Sequence, residues 1–310
     1  ASGTLLYGIS FLYGVTGTVE LQALGQHFRE PDALSLPLIL GLTFVVVGIA
    51  FKFGAVPFHM WLPDVYQGAP TPVTLYVGSA PKIAAFALTW RVLADGLLGL
   101  HESWADMLIV LAVLSLGIGN IVAIAQSNLK RMLAYSTISH VGFILMGFIA
   151  GTEDGLRASM FYTLTYVIMA AGAFGMIILL SRRGFEAENL EDFKGLNARN
   201  PWFAFVMLMI MFSMAGVPPF VGFYAKVVVL ESLLATDMFW LAGSAGFFTV
   251  IGAFYYLRVV WYMYFADPLN EESLEAATDL RVVLSVNGLA LLVLGVFPGG
   301  LLNLCARVLP

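Results

Sequence analysis

The chain has 310 residues, of which 60% are hydrophobic and 11% charged, with a net charge of −5 and one cysteine. A mean hydropathy of +0.88 excludes an ordinary soluble domain, and the acidic balance gives no footprint for nucleic acid. The lone Cys305 excludes a cysteine-ligated iron–sulfur cluster, a zinc finger and an internal disulfide.

A spanning helix needs about 20 mostly apolar residues, and about nine such stretches are predicted by that length rule. The first runs from Ala1 to about Val19. It begins without Met, a charged flank or a signal-peptide pattern, so upstream sequence is expected. A polar loop is predicted from Glu20 to Asp32, and apolar character returns from about Ala33 to Gln67, Thr71 to Leu93, Trp104 to Ala125, Arg131 to Ala150 and Leu156 to Ser181. After a charged loop from Arg182 to Asn200, the last spans run from Pro201 to about Leu234, Met238 to Phe265 and Arg281 to about Leu304. The prediction is a single all-α transmembrane domain over residues 1–310, a polytopic helix bundle.

Two segments, near 33–67 and 201–234, would be about 50 Å long as straight helices, against a hydrocarbon core of about 30 Å. Each is interrupted by Gly and Pro, in Gly54-Ala55-Val56-Pro57 and in Gly216-Val217-Pro218-Pro219, and each has a lysine near its proline, Lys52 and Lys226. Broken helices in matching places with a charge beside each point to an ion site in a repeat-built transporter. The freed backbone groups need protein or water partners, which argues for a hydrated interior. A proline kink with an outward-snorkelling lysine is the plainer reading of either break taken alone.

Lys82 and Lys130 join Lys52 and Lys226 as charges within or at the mouth of apolar segments. A charge at mid-membrane costs roughly 2.5–3.5 kcal/mol on insertion scales, so such residues usually face a wet interior and mark ion pathways. Lys130, between Asn128 and Arg131, reads equally well as a cation at a helix end. His59 and His140 lie at membrane depth and serve as packing residues or, in line with the lysines, as proton relays. Glu231, on the same segment as Lys226, reads first as a helix-end residue. Trp61, Trp90, Trp104, Trp202 and Trp261 read as interfacial anchors. With spans alternating, Lys130, Arg131, Arg182, Arg183, Lys194 and Arg199 fall on one side and Arg29 and Arg157 on the other, which makes the first side cytoplasmic. No dinucleotide fingerprint, phosphate-binding loop or histidine pair for haem is present.

Three segments carry a family resemblance: GAVPFHMWLPDVYQGAPTPVTLYVGSAPKIAAF (54–86), SNLKRMLAYSTISHVGFILMG (127–147) and MAGVPPFVGFYAKVVVL (214–230). They closely resemble the antiporter-like membrane subunits of respiratory complex I, the proton-pumping NADH:quinone oxidoreductase. Within that family Ser79-Ala80-Pro81-Lys82 and Lys226 make the chain most similar to the member nearest the quinone arm.

The resemblance implies an antiporter-like inverted-repeat fold of fourteen helices with two discontinuous ones, the seventh and twelfth. The visible helices would be the sixth to fourteenth, and a glutamate partner for Lys52 would lie before Ala1. It implies Lys52 as an input switch, Lys82 and Lys130 as a central relay and Lys226 at the exit. A lysine in such a site is a proton carrier because burial and a movable carboxylate act on its charge in opposite directions. The implied function is proton translocation with no cofactor in this chain. NADH, FMN, iron–sulfur clusters and quinone are then expected in partner subunits. Expected neighbours are the sister antiporter-like subunits and phospholipid in a bacterial inner membrane. A cation/proton antiporter or membrane-bound hydrogenase subunit of the same fold is the alternative.

Overall fold

A computed structural model describes residues 2–29, 35–182, 184–268 and 277–308. Among them, six helices are long and apolar enough to cross a membrane, and the protein is a multi-pass helical bundle. Helix α1 (Ser2–Thr16) pairs with α3 (Leu36–Phe53), and a short α2 (Leu21–His27) lies between them in sequence. Helices α4 (Trp61–Gly68), α5 (Thr71–Thr89), α6 (His101–Ile124), α7 (Leu129–Ile149) and α8 (Glu153–Leu180) follow. The second half contains α9 (Leu196–Arg199), α10 (Pro201–Ala215), α11 (Val221–Leu234), α12 (Phe239–Phe265), α13 (Thr278–Val296) and α14 (Gly299–Val308).

Helix ends follow local chemistry. Asn128 and Asn200 cap α7 and α10 by accepting from the amides of Arg131 at 3.0 Å and Phe203 at 3.2 Å. Thr152 accepts from Gly155 at 3.0 Å at the start of α8, where Glu153 and Asp154 complement the positive helix terminus.

Helix α7 is the axis of the bundle: all its residues except Arg131 and Tyr135 are buried. Lipid is as apolar as leucine, so close packing and interhelical hydrogen bonds hold such a bundle together. Gly147 shows how close: a Cβ there would lie 2.5 Å from the Gly155 carbonyl of α8.

The predicted polar loop 20–32 contains α2, because Leu24 finds a buried place beside the turns that follow α5. The predicted span ending at Leu93 continues through a π-helical turn to Gly96. The span predicted from Arg281 to Leu304 is two helices, since Pro298 separates α13 from α14. Among the tryptophans, Trp202 and Trp261 are exposed, as anchors require, but Trp104 is fully buried and donates to the Leu97 carbonyl at 2.9 Å.

Lys130, Arg131, Arg182, Lys194 and Arg199 gather at one end of the bundle. There Asn128 pairs with Asn189 and the Gly195 amide reaches the Tyr262 carbonyl at 3.1 Å. Arg157 lies at the opposite end, paired with Glu153 and Asp154. Arg183 lies outside the described residues.

Candidate functional site

Two helix interruptions build the site. Helix α3 ends at Gly54 (φ 75°) and α10 at Gly216 (φ 86°), a left-handed conformation that glycine adopts without a Cβ penalty. At the first, the Gly54 and Ala55 amides reach the Phe51 and Ala50 carbonyls at 3.0 and 2.8 Å. At the second, those of Gly216 and Val217 reach Ser213 and Phe212 at 3.1 and 2.9 Å. Both are the same paired helix-ending motif, and both runs that follow contain a cis proline peptide, Val56–Pro57 and Pro218–Pro219.

This motif leaves the final carbonyls of each half-helix without backbone partners, and a buried lysine fills each vacancy. Lys82, from α5, donates to the Phe53 carbonyl at 2.6 Å. Lys226, from α11, donates to Met214 and Ala215 at 3.1 and 2.9 Å. The negative end of a helix favours a cation, and an aromatic ring adds to it, Trp61 at 5.9 Å from the Lys82 nitrogen and Phe143 at 5.5 Å from that of Lys226. Lys82 is 1% and Lys226 8% exposed, and neither has a carboxylate within ion-pair distance among the described residues.

Lys226 opens onto a cavity of about 10 Å³, room for one water. His140, Ser139, Asn120, Tyr255 and Tyr256 share its lining. His140 is bonded at both ring nitrogens, to Tyr162 at 2.7 Å and to Tyr256 at 3.0 Å. Tyr256 in turn contacts Ser136. Tyr255 donates to Asn120 at 2.9 Å, and Asn120 donates to Ser139 at 2.8 Å. One turn away, Thr137 pairs with Tyr166 at 2.8 Å, and the buried Tyr66 phenol of α4 faces that pair. These buried polar groups form a seam, following one another through the bundle from α4 to Lys226 as separate hydrogen-bonded pairs, and the Tyr66 phenol has no hydrogen-bond partner among the described residues.

The other predicted residues sit elsewhere. Lys130 is buried, yet it lies at the loop end. It donates to the Ala69 carbonyl at 2.7 Å and to Glu186 at 3.1 Å, with Glu188 at 3.6 Å. This is the helix-end arrangement that the sequence left open. Lys52 is placed differently from Lys82 and Lys226 in this part of the protein. Among the described residues it is exposed on the last turn of α3, with no hydrogen bond or ion pair. His59, in the first interruption, is half-buried, and its buried Nδ1 has no hydrogen-bond partner. Glu231 is exposed on α11.

Sequence reasoning missed the tyrosines, the amide and the hydroxyls of the seam: Tyr66, Tyr162, Tyr166, Tyr255, Tyr256, Asn120, Ser136, Thr137 and Ser139. The available signal was Ser136, Ser139 and His140 recurring at helical spacing inside an apolar run.

Glu186 fixes the loop to the bundle end. It accepts from the Thr71 amide at 3.3 Å and hydroxyl at 3.2 Å as well as from Lys130. Burial pushes its carboxyl up, but the hydrogen bonds from Lys130 and Thr71 outweigh that and hold it below the usual range. A depressed carboxyl contributes stability that is present above its unfolded value of about 4.3 and is lost as pH falls through the folded value. The loop is therefore expected to loosen below about pH 4. Faster exchange of the Leu129 and Leu190 amides in acid, after correction for intrinsic rates, would show it; Glu186→Gln should remove the pH dependence.

The transmembrane family model for NADH:quinone oxidoreductase and Mrp antiporter subunits matches residues 1–252. The chain is 63% identical over 305 residues to NADH-quinone oxidoreductase subunit N of Thioalkalivibrio sulfidiphilus, covering 98% of this chain and 64% of that protein. It is 57% identical over 309 residues to subunit N of Thiobacillus denitrificans, covering 100% of this chain and 64% of that one. It thus spans a little under two thirds of the curated relatives that it matches. A chain of respiratory complex I from Thermus thermophilus superposes with a TM-score of 0.83 at 32% identity, over 97% of this chain and 65% of that one. A chain of the membrane-bound sulfane sulfur reductase, an archaeal respiratory membrane complex, gives 0.87 at 28%, over 99% and 62%. Matched over most of its length, the chain belongs to the NADH:quinone oxidoreductase/Mrp antiporter transmembrane family.

Proposed function

We propose that this chain is the greater part of a proton-translocating membrane subunit of NADH:quinone oxidoreductase. Protons move along its buried lysines and polar seam, while NADH oxidation and quinone reduction take place in partner subunits that hold FMN, iron–sulfur clusters and quinone. The observation that carries this reading is the repeated lysine–carbonyl contact. Lys82 and Lys226 each place an ammonium, sealed from solvent, on the open end of an interrupted helix. Charge burial of this kind costs several kcal/mol, partly offset by local dipoles. A small movement of the half-helix or of a nearby charge therefore changes the balance between holding and releasing a proton. The cavity beside Lys226 supplies the water and the His140 contact through which the proton passes on. Lys52, exposed on α3, is the input lysine of this scheme, and a carboxylate from a neighbouring helix is its partner.

The loop end carrying Lys130, Arg131, Lys194 and Arg199 faces the cytoplasm of a bacterial inner membrane. Sister antiporter-like subunits and phospholipid cover the outer faces. The high identity to subunit N relatives favours this reading over a cation/proton antiporter or a hydrogenase subunit of the same fold.

The test is proton pumping and NADH:quinone activity in membranes carrying the full-length chain with Lys82→Ala or Lys52→Ala, with assembly followed on a native gel. A fall of at least about tenfold in both activities is expected for an assembled Lys82→Ala complex, the scale set by loss of a positioned proton carrier. Normal pumping in both variants would sink the relay.

A further inference from the structure

Arg182 and residues 184–190 form a strap over the loop end of α7. Arg182 pairs with Phe185 and Asn189 with Asn128; Leu129 donates to the Glu188 carbonyl at 2.6 Å, and Leu190 to that of Ser127 at 3.0 Å. Beneath the strap the Lys130 side chain is 1% exposed, whereas those of Glu186 and Glu188 are 41% and 33% exposed. Among its described contacts, the carboxylates are the groups that reach solvent. Thr71 holds Glu186 in place from the start of α5, and the remaining Lys130 contact is the Ala69 carbonyl at the end of α4. The neighbouring Arg131 does not compete for Glu186, since it is bound to Asp64 at 2.7 Å and Gln67 at 3.1 Å.

A strap needs no buried cation. Replacing a buried ion pair by apolar groups is often neutral or stabilising, and the backbone pairing already ties the loop down. Lys130 also shares a helix face with the start of the seam. Thr137 lies two turns further on the same face of α7, about 10 Å away, with the small Ala134 between them, and Thr137 is bonded to Tyr166. The seam thus begins close to Lys130 and leads towards His140 and Lys226.

We infer that Glu186, with Glu188 beside it, is the proton-collecting group at the loop-side mouth of this bundle and hands protons to Lys130; this rests on the proton-translocating function proposed above. In the step, the Glu186 carboxylate takes a proton from a hydronium ion of the loop-side water at Oε2, the oxygen that faces Lys130, and water is left behind. The Lys130 amine, having released its own proton to water on its inward side, accepts that proton from the Glu186 carboxyl. The carboxylate–ammonium pair seen in the structure is then restored.

The experiment uses the assembled complex with the full-length chain in proteoliposomes. Glu186→Gln keeps an acceptor for Thr71 and Lys130 but cannot carry a proton. Its pumping should fall about tenfold, Glu186→Asp should retain most of it, and a raised concentration of imidazole, a small mobile proton donor, should restore it. Unchanged pumping in Glu186→Gln overturns the inference. So does a loss that neither Glu186→Asp nor imidazole relieves, which would make Glu186 a clamp. Lys82→Ala and Lys226→Ala are measured alongside. If they pump normally, the translocation reading itself fails; if they do not while Glu186→Gln does, only the collecting role falls.

Discussion

Lys226→Met is expected to abolish proton pumping while raising the apparent melting temperature of the assembled complex. Two opposed quantities decide the sign of the stability change. Lys226 holds an ammonium at 8% exposure with two carbonyls and one ring, and no carboxylate among the described residues, around it. An incompletely compensated buried charge costs several kcal/mol. Methionine removes that cost and fills nearly the same volume. It leaves the Met214 and Ala215 carbonyls without a donor, at about 1–3 kcal/mol for an unsatisfied group, but the adjoining cavity admits a water that can take the lysine's place. The balance favours methionine by about 1–2 kcal/mol. Function moves the other way, with pumping reduced by about 10²-fold or more. Lys226→Arg separates charge from proton exchange, because a guanidinium keeps its proton at any working pH; it too should fail to pump. A Met variant that pumps normally would remove Lys226 from the route.

The same contacts explain which parts of the site were legible in the sequence. Both interruptions were visible because Gly and Pro fall inside apolar runs too long for one span, and glycine at the helix end is what the left-handed turn requires. The pairing of lysines was not. By position alone Lys52 and Lys226 belong together, each lying beside a proline. In three dimensions Lys82 is the counterpart of Lys226, since each caps the carbonyls of an interrupted helix. Lys82 comes from the next helix, and no sequence spacing reports that an α5 side chain ends under Phe53. Nor does sequence state which way a residue faces on a helix that is apolar all round, so the exposure of Lys52 could not be read. The seam tyrosines went unread for the same reason. An apolar ring with a polar tip suits a membrane interface and an internal hydrogen-bonded seam equally well, and Tyr162 and Tyr256 are placed in the second class only by His140.

Gly222→Ala is expected to prevent stable assembly. Gly222 stands in the first turn of α11, directly on the last turn of α10. A Cβ there would lie 1.8 Å from the Ser213 carbonyl oxygen, 2.7 Å from its carbon and 3.0 Å from its hydroxyl. None of these can yield cheaply. The carbonyl belongs to helix backbone and accepts from Gly216 at 3.1 Å, and the hydroxyl accepts from the Gly222 amide at 3.1 Å. Overpacking by a methyl group typically costs about 1–3 kcal/mol where side chains can shift; with backbone as the obstacle, the upper end of that range or more is expected. Relief requires α11 to lift away from α10, and Lys226, one turn further on, would leave the Met214 and Ala215 carbonyls with it. Loss of stability and loss of pumping should therefore appear together, unlike in Lys226→Met. Gly243→Ala is the control: nothing lies within 4 Å of a Cβ there, and alanine is the better helix former by about 1 kcal/mol, so melting temperature and assembly should stay at or slightly above the parent values. A Gly222→Ala complex that melts and pumps like the parent would show that α10 and α11 do not stack this closely, and would take the carbonyl seat of Lys226 away with it.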